Sequence, residues 1–360
     1  MNMLIAMAVF AAASIQAVRI EVVNDLPTAR ANETIEVKRT GVGPFVVRDA
    51  AGTEVVSQMI GDGVVIFQAS FGPKEVKTFT VTPGTPAKAA SKVFGRFVPE
   101  RSDDFAWEND KIAFRVYGPG LEVNPKELLV SSGIDVWSKR TDKLIINTWY
   151  KSGTYHTDTG EGCDCYKVGK GRGCGGTGIW KDGALHLSRN YRTWNVLASG
   201  PVRLVFELTY EPWEAGGVKV GEVKRFTLDA GTQLNRVQST FAIQGSDSAT
   251  VAVGLSESIG FKMLASPENG WIGVWGAADG ETNGHNATGV VFPPKAKVEL
   301  KEAQDNVLLL TLVKTGEPVE YYAGAGWSKS GFADSAAWGA YLAEFAARLK
   351  SPLRVTIKEE

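Results

Sequence analysis

The chain carries almost no net charge: 39 basic and 40 acidic side chains leave −1 over 360 residues, with no long run of either sign. There is no basic field to gather nucleic acid and no polybasic stretch suited to an anionic membrane. Beyond the first residues no apolar run reaches the length that spans a bilayer as a helix. No segment recurs at a fixed period, which excludes a propeller or solenoid. Cysteine and histidine are scarce, at three each. The stretch from Gly171 to Gly178 lacks the Gly-Lys-Ser/Thr ending of a Walker A loop. It is not followed by the helical pattern a Rossmann fingerprint needs, and no EF-hand spacing occurs anywhere.

What is present describes a globular, strand-rich chain. Hydrophobic residues make up 44% and charged residues 22%, ordinary values for a packed protein of one large or two smaller domains. The 40 glycines suit many short strands and turns. The opening apolar run, Met1 to Ala17, is too short for a membrane helix and ends in small residues. It reads as a secretory signal peptide, which predicts an exported protein, periplasmic or secreted.

From Val18 to Val81 short alternating segments such as Val18–Val22, Thr34–Val37 and Val76–Val81 are separated by Gly, Pro and Asp. This spacing predicts a small β-sandwich domain over residues 18–85, with Pro83–Lys88 as a linker. The alternation continues in Lys111–Tyr117, Pro201–Tyr210, Gly221–Leu228 and later segments, which predicts a large antiparallel double-sheet domain over residues 95–360. Helical spacing appears once, in Trp338, Leu342, Phe345 and Leu349, with Asp334 or Ser335 as cap and Pro352 as stop. Leu353–Ile357 can return as a last strand. The fold expected is therefore all-β, with one C-terminal helix.

Polar chemistry concentrates between Tyr155 and Tyr191. His156, Asp158, Glu161 and Asp164 fall close together, and Gly then recurs from Gly169 to Gly178. A glycine-rich run loses backbone entropy on ordering, so it belongs where chain turns sharply or approaches another group, such as a cleft wall. On a strand His156 and Asp158 would share a face. Farther on come Arg189, Asn190 and Tyr191. Imidazole, phenol and guanidinium together suit proton abstraction beside a sugar carboxylate. His156 is the candidate base, Tyr155 or Tyr191 the proton donor, and Arg172 or Arg189 the carboxylate clamp. Asp158, Glu161, Asp164, Tyr166, Asn190 and His285 are candidate substrate contacts. Each has a plainer reading: a structural histidine, Asp beside Gly as turn caps, a loop histidine at His285, or a calcium site built from Asp158, Glu161 and Asp164. No cofactor is expected otherwise.

All three cysteines lie in this stretch. In an exported protein a disulfide from Cys174 to Cys163 or Cys165 is expected, since a Cys163–Cys165 bridge would close a very tight ring. Zinc lacks its second ligand pair here.

The run Tyr-His-x-Asp-x-Gly-Glu-Gly-x-Asp-x-Tyr-x-Val-Gly, from Tyr155 to Gly169, with Arg172-Gly-Cys-Gly-Gly-x-Gly-Ile-Trp180, resembles the signature of the DUF4861 family. Asp104–Asp110, Ile134–Trp137 and Ser188–Tyr191 are similar to that family too. The resemblance implies an exported bacterial protein, often encoded near enzymes that degrade uronate-rich glycans. It implies a galactose-mutarotase-like β-supersandwich for the main domain, a fold shared with polysaccharide lyases. The function expected is a carbohydrate-active protein acting on an acidic oligosaccharide or polysaccharide by β-elimination. A sugar epimerase or mutarotase, and a non-catalytic glycan-binding protein, are the alternatives.

Overall fold

Alternation of apolar and polar side chains explains the first unit, residues 1–89 with 353–360. In the strand Val18–Val23, Val18, Ile20 and Val22 are buried while Arg19 and Glu21 turn outward, as period two requires. That strand sits between Val76–Pro83 and the C-terminal strand Arg354–Glu359, both antiparallel to it. Phe45–Asp49 and Glu54–Val55 complete a five-stranded sheet, and Arg30–Lys38, Val64–Phe71 and Ser57–Ile60 form a three-stranded one. Ile20, Val22, Ile35, Val37, Phe67 and Phe79 fill the core between them. The last strand, assigned from the sequence to the larger domain, thus pairs with the first strand among the described residues. The computed structural model describes residues 17–38, 43–61, 63–258 and 260–359, so the expected signal peptide lies outside the described residues except for Ala17.

The second unit, residues 90–352, contains three antiparallel sheets of five, five and eight strands, the β-supersandwich expected from the sequence. Phe105, Trp107, Phe114, Val136, Phe206, Phe226, Val253 and Leu309 come from all three sheets into one core. The C-terminal helix, Ser335–Lys350, is capped by the Asp334 carboxylate, which accepts from Ala337 N at 2.9 Å. It buries Trp338 and Leu342 with the strands Trp271–Ala277 and His285–Val291, where Trp338 Nε1 donates to Thr288 O at 2.9 Å. A second helix, Ile146–Ser152, was not foreseen. Its first amides, on Ile145 and Ile146, both donate to the Glu108 carboxylate at 2.8 Å, and Lys139 Nζ holds that carboxylate at 2.7 Å. A partner far away in sequence starts this helix, which local propensity cannot reveal.

The sheet that matters for function has the order Val93–Val98, Asp104–Asn109, Ile112–Val116, Ile134–Lys139, Gly162–Cys163. One face carries Phe105, Trp107, Phe114 and Val136 into the main core. On the other face Arg115 stands opposite Asp135 on one neighbouring strand and Ala106 on the other. This second face is covered by Trp149, Tyr150 and Tyr155, which pack with Trp137, Ala106 and Ala113.

The glycine run is explained by packing. Gly173 has φ +59° and bridges to Ile134, whose carbonyl oxygen would lie 2.1 Å from any Cβ. At Gly175 (φ +89°) a Cβ would meet the Ala323 side chain at 2.3 Å. The run leads into the strand Cys174–Lys181, packed against Ile134 and Ala323. Gly173→Ala should lower unfolding free energy by about 3 kcal/mol, from left-handed strain plus overpacking. Urea denaturation measures this, and a loss within error of zero would contradict the packing account.

Candidate functional site

Arg115, buried, gathers three carboxylates. Its Nε donates to Asp135 Oδ2 at 3.0 Å, and Nη2 donates to the same oxygen. Nη2 also reaches Asp164 Oδ2 at 3.0 Å. Nη1 faces Asp104 Oδ2 at 3.9 Å, too far for a hydrogen bond, and both atoms are left unpartnered. The rings of Tyr117 and Trp137 flank the guanidinium at 5.3 and 5.4 Å. Asp164 follows the short strand Gly162–Cys163, and its amide donates to Tyr155 O at 2.8 Å. That bond brings the turn carrying His156 over the cluster. His156 Nδ1 lies 3.5 Å from Asp164 Oδ2 and 3.4 Å from Asp164 O, while its side chain is 64% exposed. The Tyr155 ring lies 4.5 Å from the imidazole and stacks on Trp137 at 4.9 Å. Imidazole and buried carboxyl thus form a path from solvent to Arg115.

Charge balance sets the protonation states. Burial drives the Asp104 carboxyl up to about 7, against the pull of Arg115 and Arg101. Burial and the neighbouring Asp135 drive Asp164 up to about 8. Asp135 is raised by burial as well, although Arg115 bonds to it directly. Arg101, at the edge, would be depressed by burial, but Asp104, Glu127 and Tyr155 outweigh that and keep it charged. Its ion pair with Glu127 spans 2.6 Å.

Several residues chosen from the sequence lie elsewhere. His156 and Asp158 do not share a strand face; they occupy a turn after the short helix. Asp158 caps that turn, accepting from Gly160 N and Gly162 N, and pairs with Arg140 and Lys329. Glu161 pairs with Lys143 at 2.6 Å. Asp158, Glu161 and Asp164 therefore do not converge, and among the described residues no group of three such side chains could hold a metal ion. Arg172 is wholly buried, giving Nη1 to Ser132 Oγ and Thr177 O at 3.1 Å, with burial pushing its pKa down to about 10. It cannot clamp a substrate carboxylate. Arg189 is held by Glu122 at 2.8 Å. Asn190 is buried and ties Ser131 N, Gly118 O and Leu129 O together, while the Tyr191 hydroxyl donates to Asp103 O. Asn190 thus braces the loop before Ile134, and Tyr191 the start of the strand Asp104–Asn109. His285 is exposed and stacks on Trp275 at 5.5 Å. Tyr166 faces the main core rather than His156. The three cysteines are free and buried: Cys163 and Cys165 pack with Ala278 and Trp327, and Cys174 with the main core. The expected disulfide does not form, because Cys174 faces a different part of the interior.

A family described as a domain of unknown function (DUF4861) matches residues 22–355. The chain belongs to the DUF4861 family. Uncharacterized protein P7 of Formosa agariphila is 31% identical over 94% of this chain and 93% of its own length. Two solved structures from Enterococcus faecalis share the fold: a protein in glycosyl hydrolase family 38 (TM-score 0.56, 11% identity) and an alpha-mannosidase (TM-score 0.52, 10% identity). Each covers 95% of this chain, which spans 47% and 46% of their respective lengths. In this DUF4861 chain the separated motif stretches meet at one place: Asp104 from one, Asp135 and Trp137 from another, and Tyr155, His156 and Asp164 from the third. Arg101, Arg115 and Tyr117 complete the site and were not foreseen. The only signal for Arg115 was its alternation with apolar residues in Ile112–Val116, a pattern that ordinarily marks a solvent-facing position.

The raised carboxyls have a consequence for stability. Asp104 and Asp164 take up protons on folding, so between the ordinary carboxylate range and about pH 8 the native state binds more protons than the unfolded chain. Their contribution is fully present below the unfolded pKa and is lost as pH rises through 7 to 8. Thermal melts should therefore give a higher Tm at pH 5.5 than at pH 8.5, and Asp164→Asn should flatten that slope. Equal slopes in the two proteins would rule Asp164 out as its source.

Proposed function

We propose that this protein is a carbohydrate-active enzyme that moves a proton on a bound sugar, with β-elimination on a uronate-containing oligosaccharide as the reaction. The observation that carries the reading is the exposed His156 imidazole beside the buried, easily protonated Asp164 carboxyl. The imidazole can accept a proton at the surface while the carboxyl beside it fixes the position of the ring. The fold shared with a glycosyl hydrolase family 38 protein and an alpha-mannosidase supports a sugar as the ligand class.

In this reaction His156 takes the proton from the carbon next to the uronate carboxylate. The electrons form a carbon–carbon double bond, the bond to the β-oxygen breaks, and the Tyr155 hydroxyl protonates the leaving oxygen. Arg101 replaces Arg172 and Arg189 as the cation, since its partner Glu127 is itself half-exposed and exchangeable with a ligand carboxylate. With Asp164 protonated and Asp104 partly so near neutrality, the cluster approaches an Arg115–Asp135 pair, which repels an anion little. Export, through the opening apolar run, is part of the same proposal.

The test is the near-ultraviolet absorbance of an unsaturated uronate after incubation with a panel of acidic glycans. His156→Ala should lower kcat by about 100-fold or more, and Arg101→Met should act mainly on KM. Absence of product from every acidic glycan removes elimination. Proton NMR of anomer or epimer exchange then decides whether the same acid and base serve a sugar isomerase.

A further inference from the structure

Arg101 already holds a carboxylate. Its Nη2 donates to Glu127 Oε2 at 2.6 Å, across 26 positions of chain. The Asp104 carboxyl and the Tyr155 hydroxyl are its other neighbours, and the Tyr155 ring in turn lies 4.5 Å from the His156 imidazole. Glu127 thus sits on the cation beside the base and the phenol. We propose that Glu127 is a built-in competitor for the substrate: its carboxylate occupies Arg101 until a uronate carboxylate takes its place. The proposal rests on the uronate reading above and adds the residue that tunes selectivity for it.

Glu127 lies on a loop pinched at its base and loosely packed at its tip. At the base Leu129 N donates to Leu121 O at 3.1 Å, and both side chains pack with Tyr117 and Val168. Arg189 and Arg192 hold Glu122 there, and Asn190 Nδ2 donates to Leu129 O at 3.2 Å. Toward the tip burial stops. Val123 is 79% and Leu128 70% exposed, and Pro125 and Lys126 are exposed as well. A segment with few buried apolar contacts moves at little cost. Polar ties set its position instead. Glu127 N donates to Asn124 O at 3.2 Å, and Lys126 N donates to Asn124 Oδ1 at 3.0 Å. Asn124 Nδ2 donates to Ser102 Oγ, on the residue after Arg101, at 3.3 Å. The turn is therefore held beside Arg101 without the Glu127 carboxylate. That side chain can swing off and return while the turn stays in place, which keeps its effective concentration at Arg101 high.

The strength of the contact suits a competitor. The Arg101 and Glu127 side chains are 21% and 49% exposed, and an ion pair so open to solvent is worth little. Such a pair is formed for between about a half and five-sixths of the time. A ligand that needs Arg101 free has its affinity lowered in proportion, about two- to sixfold. Glu127 reaches Arg101 through a single hydrogen bond, so a uronate carboxylate bound through both oxygens displaces it. A neutral sugar has no group that calls for Arg101 and is not subject to the competition.

Titration calorimetry on the full chain, with galacturonate and glucuronate beside galactose, tests the assignment. Glu127→Gln should bind at least one uronate about two- to sixfold more tightly than the native protein does, with its response to galactose unchanged. Arg101→Met should lose uronate binding. Glu100→Gln removes a nearby exposed carboxylate that is paired with Arg96 instead, and should leave uronate affinity as it is. The sign is diagnostic, because losing a merely structural ion pair weakens binding whereas losing a competitor strengthens it. Both glutamate variants alter exposed side chains, so the outcome does not depend on how Arg101→Met folds. The inference is overturned if Glu127→Gln binds uronate no more tightly than the native protein, if Glu100→Gln tightens it as much, or if neither uronate binds to either protein at tens of millimolar. Binding is read without turnover. Tighter binding with no unsaturated product sinks the elimination reading alone, and His156-dependent elimination with no tightening sinks this one alone.

Discussion

A lone guanidinium buried with three carboxylates cannot persist with all four groups charged. Desolvation makes each unpaired charge cost several kcal/mol, and Arg115 can neutralise only one of Asp104, Asp135 and Asp164. Asp135 receives the direct bonds from Nε and Nη2 and keeps the pair, while the other two carboxyls respond by holding protons. The remaining architecture of the site follows from keeping this group dry. Ile146–Ser152 and the Tyr155 turn must lie across the second face of the sheet, and Trp137, Trp149 and Tyr150 must seal it. Tyr191 and Asn190, far along the chain, hold the ends of the strands that deliver Asp104 and Asp135.

Most of the fold could be read from alternation, because a strand with one buried face writes period two into the chain. Val18–Val23 and Arg203–Glu214 are plain cases, and the helix at Trp338 and Leu342 announced itself by its own period. The site was legible only in part. His156, Tyr155 and Asp164 stood out because polar groups crowd together there. Arg115 did not, since an arginine alternating with apolar neighbours looks solvent-facing; only the covering layer, contributed by residues 146–155, makes it buried. The short helix escaped for the same reason: Glu108, almost forty positions upstream, supplies its cap.

Arg172 and Arg189 show the opposite error. Both lie beside the polar segment in sequence, and both serve structure. Arg172 enters the interior, where Thr177, Glu222 and Lys224 form a buried polar group near it. Arg189 joins Arg192 on Glu122. The glycine run carries Arg172 to that interior position, and its small side chains allow the crossing. Proximity in sequence overstated what the second half of the motif could contribute, because a chain entering the buried strand Cys174–Lys181 leaves the surface within a few residues.

The four residues Asp164 to Lys167 therefore border two different environments. Asp164 turns to Arg115 and His156, whereas Cys165 O accepts from both Asp279 N and the Asn286 side chain, and the Tyr166 ring packs on the main core. A segment fixed on both sides transmits displacement poorly but holds position well, which is what a reaction needing a base, a phenol and a cation at fixed separations demands. Raising the pH ionises Asp104 and Asp164 and loosens only the Arg115 side; the hydrogen bonds to Cys165 O contain no group that titrates. The titrating and the non-titrating side divide along the backbone between Asp164 and Cys165.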